Sequence, residues 1–99
     1  MKLREIAHSR TGDKGNTSNI SLIAYRAEDY EKIKAAVTAE KVKAWFADIV
    51  TGEVVRYELP AIGALYFVMY GALGVGVTRS LALDMHGKGL SAAILDMDI

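Results

Sequence analysis

Ser9-Arg10-Thr11-Gly12-Asp13-Lys14-Gly15-Asn16-Thr17-Ser18-Asn19 is the stretch on which the fold of this chain turns. It sets polar side chains, two glycines, two cations and one carboxylate between two apolar runs. Before it, Leu3 to Ala7 is a short strand candidate. After it, Ile20-Ser21-Leu22-Ile23-Ala24-Tyr25 is rich in β-branched and aromatic residues and reads as a second strand. The two pair as an antiparallel hairpin, and the polar stretch becomes the long loop at its tip. Ordered loops of that length are often functional.

Further along, Ala27 to Val37 has helical spacing. Glu28, Asp29 and Glu31 crowd the first turn, Lys32 and Lys34 follow, and Tyr30, Ile33, Ala36 and Val37 share one face. Thr38 offers an N-cap oxygen to a second helix, which runs to about Val50 and buries Val42, Trp45, Phe46 and Ile49. Thr51-Gly52 ends it. Glu53 to Leu59 alternates as a third strand and Pro60 stops it. Ile62, Leu65, Tyr66, Met69 and Leu73 fit helical spacing with Gly74 as C-cap, so Ile62 to Leu73 is read as a helix in preference to a strand. Val75 to Leu83 is a fourth strand, Asp84 to Gly89 a turn, and Leu90 to Met97 a closing helix. The whole is one domain over residues 1–99. Its class is α+β: a two-layer sandwich of a four-stranded, mainly antiparallel sheet with helices on one face.

Composition narrows the function classes. With 52% hydrophobic residues the chain can build a core, and twelve basic side chains balance twelve acidic ones. No net field or basic stripe recruits nucleic acid or an anionic membrane. Cysteine is absent, which removes disulfides, thiolate nucleophiles and Cys-based zinc sites. The apolar run from Ala61 to Val77 carries four glycines and two tyrosines, and reads as buried core instead of a membrane span. Met1-Lys2-Leu3-Arg4-Glu5 lacks a signal-peptide core, so the expected location is cytoplasmic.

Within the polar stretch, Gly12 and Gly15 allow close backbone approach, and successive N–H groups can form an anion-binding nest. Arg10 and Lys14 add charge, and Ser9, Asn16, Thr17, Ser18 and Asn19 add hydrogen bonds. The spacing is not a P-loop, because the Gly-Lys-Ser/Thr ending is missing and a strand follows. The bland alternative is a hairpin loop whose side chains cap its own backbone. Asn16-Thr17-Ser18 and Asn19-Ile20-Ser21 match the glycosylation sequon by accident. His8 with Asp13 is the best acid/base pair if the loop folds back, against a lone surface histidine. Asp84 and His86 make at most a weak metal pair, so neither a metal nor a cofactor is expected. Arg79 interrupts an apolar strand and reaches Asp13, a bound anion, or solvent. Met69, Met85 and Met97 read as core filling.

Ala7 to Ile20 as a block is similar to the signature opening the C-terminal ferredoxin-like domain of acyclic terpene utilisation (AtuA) proteins. Val50-Thr51-Gly52, Arg56 to Pro60, Gly71 to Gly74, Thr78 to Leu81, Gly87-Lys88 and Leu95 to Ile99 resemble later family blocks. The resemblance covers essentially the whole chain, as a stand-alone small protein. Asparagine is common in the family where this chain has Ala61 and Tyr66, and glycine where it has Val75. Such a resemblance implies catabolism of branched or terpenoid acids through CoA thioesters. The expected role is an accessory subunit that presents the loop 9–19, with Arg79, to an anionic acyl or CoA ligand or to a larger AtuA-type partner. The rivals are a small acyl-CoA hydratase or isomerase using His8 and Asp13, and a homo-oligomeric structural module joined through free sheet edges.

Overall fold

The computed structural model describes residues 1–14, 17–47, 50–71 and 89–99. Its centre is one antiparallel sheet in the order β1-β2-β4-β3, formed by β1 (Ala7–Lys14), β2 (Thr17–Ala24), β3 (Val54–Leu59) and β4 (Ala64–Tyr70). Helices α1 (Ala27–Ala36), α2 (Ala39–Trp45) and α3 (Gly89–Ile94) pack on one side of it. This is the two-layer α+β sandwich expected, though two of its four strands differ from those read in the sequence.

The long polar loop does not exist as such. Ala7–Lys14 and Thr17–Ala24 pair along their whole lengths, from Ala7 with Ala24 to Lys14 with Thr17. Leu3–Glu5 is a 3-10 turn in place of the expected first strand. The misreading has a physical cause. β1 lies at the edge of the sheet, where charged and polar side chains protect unpaired backbone groups. β2 does alternate: Ser18, Ile20 and Leu22 are buried, with half-buried residues between them.

The second correction concerns Ile62 to Leu73. Pro60–Ile62 forms a 3-10 turn, Gly63 reverses the chain at φ 64°, and Ala64–Tyr70 is a strand, not a helix. An uninterrupted apolar run satisfies helical and strand periodicity alike. It also suits a central strand, and β4 lies between β2 and β3. The fourth strand expected over 75–83, the turn at Asp84 to His86, and Met85 lie outside the described residues. Among those described, no helix is long and apolar enough to cross a membrane.

α1 buries Tyr30 and Ile33, and Val37 follows them into the core. Thr38 caps α2 as expected, its hydroxyl oxygen accepting from the Lys41 amide at 3.1 Å. α2 ends at Trp45, short of Val50; Val42 and Phe46 enter the core, while Trp45 lies on the surface with its indole N–H donated to Ala93 O. These side chains meet Ile20, Leu22, Leu65, Phe67 and Met69 from the sheet, with Leu3, Ile94 and Met97. Met69 and Met97 are therefore core residues. The chain ends lie together: Leu3 N donates to Met97 O, and Ile99 N to Met1 O.

Candidate functional site

Alternation along the strands divides the expected site between two surfaces. Side chains in phase with Ile20 and Leu22 face the helices, whereas His8, Arg10, Gly12, Thr17 and Asn19 share the opposite face with Ser21 and Ile23. Ser9 lies out of phase with them, on the helix side. The fold-back required for a His8–Asp13 acid/base pair does not occur. Five positions along an extended strand separate the two by roughly 16 Å. His8 instead stacks against Tyr25, with ring centroids 5.2 Å apart. Gly15, Asn16 and Arg79 lie outside the described residues, so the anion nest and the Arg79 contact do too.

The glycine at position 12 has a local explanation. A Cβ there would come 2.9 Å from Asn19 Oδ1, so the Asn19 carboxamide occupies the space above the Gly12 backbone. On the other side of the hairpin the buried Ser18 hydroxyl donates to Gly12 O at 3.1 Å. Much of the polarity from Ser9 to Asn19 is thus spent within the hairpin or on one open face.

Two further motif blocks meet at the same end of the sheet. Gly52 N donates to Tyr70 O at 2.9 Å, Thr51 Oγ1 donates to Gly71 O at 3.2 Å, and Tyr70 is the register partner of Thr17. Gly71 has φ 72° and a Cβ on it would fall 2.4 Å from Thr51 Oγ1. Glycine is required there by conformation and by space.

β3 holds the least expected arrangement. Its pairing puts Val54, Arg56 and Glu58 in phase with Met69, Phe67 and Leu65, on the helix side. Val55, Tyr57 and Leu59 consequently face away from the core, and Tyr57 and Leu59 are 49% and 40% exposed. Across from them, Tyr66 and Val68 of β4 add a further apolar pair, with the Tyr57 and Tyr66 rings 6.1 Å apart. The open face therefore has an apolar half on β3 and β4 and a polar half on β1 and β2. Arg10 charges the polar half, and no carboxylate is among the described side chains of the four strands on this face.

Arg56, turned inward by the same phase, has structural work. Its Nη1 donates to Lys34 O at 2.7 Å and Val37 O at 2.9 Å, and Nη2 donates to Glu58 at 3.1 Å. It thus closes the carbonyl end of α1, where backbone acceptors lack helical partners. Sequence reasoning missed it; its even spacing from Val54 was the available sign.

Among the described residues no group of three or more His, Asp or Glu side chains is placed to hold a metal ion. The family model of the AtuA ferredoxin-like domain matches residues 1–99. Among curated proteins and among solved structures, nothing matches this chain.

Proposed function

Since the chain belongs to the AtuA ferredoxin-like domain family, we propose that it is an accessory module of acyl-CoA or terpenoid-acid catabolism, docking through its open sheet face onto a larger AtuA-type protein. The observation that carries this reading is the phase of β3. Strands normally turn their apolar set to the core, and a strand apolar on both faces is normally covered on both. Here Val55, Tyr57 and Leu59 are turned outward beside a β4 that is apolar on both sides. An apolar patch flanked on its β2 side by Asn19, Ser21 and Arg10 combines the apolar and polar surface of a protein interface. Arg10, which has no ion-pair partner among the described residues, matches a partner surface with an acidic rim.

Arg10, Thr17 and Asn19 keep a role in this reading as one margin of the docking surface, with His8 beside them. The catalytic pairing of His8 with Asp13 does not, because the two lie far apart along one strand. The test is co-purification and calorimetry with the larger AtuA-type protein from the same genome. Tyr57→Ser with Leu59→Ser removes two exposed side chains and leaves the core intact. It should weaken the complex at least 30-fold, the scale of an interface hot spot. Arg10→Glu should weaken it less and reverse its salt dependence. A complex indifferent to the serine pair would remove this face as the docking surface. A dimer of the chain alone that dissolves in the same variant would make a second copy the occupant.

A further inference from the structure

β1 and β3 are the outer strands of the sheet, and their sequences treat that position differently. Arg10, Asp13 and Lys14 spread charge along β1, a common protection of an edge against pairing. β3 carries only Arg56 and Glu58, which are bonded to one another at 3.1 Å on the helix side. Its other side is apolar, through Val55, Tyr57 and Leu59. Among the described residues no strand and no backbone hydrogen bond occupies its outer edge. An edge of this composition is a site for strand pairing.

The hydrogen bonds at the ends of β4 fix which backbone groups of β3 face outward. Tyr70 N donates to Glu53 O and Gly52 N donates to Tyr70 O, so Tyr70 turns both of its groups toward β3. At the far end Ala24 N donates to Gly63 O, which sets Leu65, Phe67 and Met69 toward β2. Antiparallel alternation then bonds Val55, Tyr57 and Leu59 to β4. The amides and carbonyls of Val54, Arg56 and Glu58 are left on the outer edge. All three direct their side chains to the helix side. A second β3 pairing antiparallel through the same three residues must therefore bring its own helices to that side.

We propose that the outer edge of β3 pairs with β3 of a second copy of this chain, antiparallel and in the register centred on Tyr57. Charge selects both the occupant and the register. Centring on Arg56 or on Glu58 opposes like charges, and centring on Val55 leaves Arg56 across from Val54. Centring on Tyr57 sets Arg56 across from Glu58 of the second copy, and the two-fold axis repeats that pair. It also sets Val55 across from Leu59 on the apolar face. Opposite charges and apolar side chains directly across a ladder stabilise it, and like charges do the reverse. The product is one continuous sheet with both helical layers on one side and the two open faces joined on the other.

The chain has no cysteine, so single cysteines report the register directly. Tyr57→Cys should form a disulfide dimer in a glutathione buffer, because the central residue faces itself across a non-hydrogen-bonded pair with Cα atoms about 4.5 Å apart. Val55→Cys or Leu59→Cys alone should stay reduced, like positions lying about 14 Å apart along the strands, whereas a mixture of the two should cross-link. Glu58→Pro removes one outward amide from each copy and should weaken the dimer about 30-fold in sedimentation equilibrium, the loss of two hydrogen bonds. Glu58→Arg keeps the amide but opposes arginines, and should weaken it about tenfold. Glu58 lies on the helix side, so docking of a larger partner on the open face should survive both variants, and the two readings fail separately. A wild-type chain that stays monomeric at its highest soluble concentration would overturn the inference. So would Tyr57→Cys cross-linking no faster than Val55→Cys, or a dimer unmoved by both Glu58 variants, as copies joined face to face would be.

Discussion

Replacing Arg56 by methionine tests how the helical layer is fastened to the sheet. The hydrocarbon stem is kept, and what goes is the guanidinium joining Lys34 O and Val37 O to β3. A hydrogen bond from a charged donor contributes about 1.5–3 kcal/mol net, and a cation at a helix C-terminus adds a few tenths. The Arg56 side chain is only 20% exposed, so little water reaches the two carbonyls to replace it. Taking the lower end for both bonds gives a loss of about 3 kcal/mol. For a chain of 99 residues the unfolding entropy is about 0.2 kcal/mol/K. The melting temperature should therefore fall by roughly 15 °C, measured by circular dichroism and checked by urea unfolding with an unchanged slope. Arg56→Lys keeps the charge but loses the fork that spans two acceptors, and should recover about half of the loss. Glu58→Gln removes an ion pair whose carboxylate is 47% exposed, and should cost well under 1 kcal/mol. If Arg56→Met melts within about 3 °C of wild type, water satisfies the end of α1 and the bridging role of Arg56 is refuted.

Gly71→Ala forces a left-handed φ on an L residue and a clash with Thr51 Oγ1, and should cost about 2 kcal/mol; removing the hydroxyl with Thr51→Ala should restore only part, since the conformational strain stays. Ser18→Ala deletes a buried hydroxyl bonded to Gly12 O and should lower stability by about 1 kcal/mol. Hydrogen exchange should then quicken at Gly12 and Asn19 before it does in β4; uniform acceleration would show that the bond does not hold the hairpin locally.

Where local chemistry is strong, the sequence was readable. The acidic start and apolar face of α1, the Thr38 cap and the alternation of β2 each have one dominant cause close by. β1 was hidden because an edge strand with an open face tolerates the same residues as a loop. β4 was hidden for the opposite reason, being apolar at every step and so without a period. β3 was correctly placed as a strand, but alternation does not tell which phase faces inward. That is settled by its register with β4, a contact formed across the 3-10 turn. The site was legible to the same degree. The residues from Ser9 to Asn19 were singled out, but their division between two faces follows only from pairing.

The sheet order also bears on how quickly the molecule can form. β1 with β2, and β3 with β4, are each closed by short connections, and hairpins of this kind zip within microseconds. The halves touch strand to strand along one line, where Ile20 meets Phe67 and Leu22 meets Leu65. Everything from α1 through α2 must be looped out to bring that line together. The closure entropy of this single seam, instead of the making of either hairpin, then sets the barrier. Refolding rates should respond to packing at Phe67 and hardly at all to the exposed side of β3.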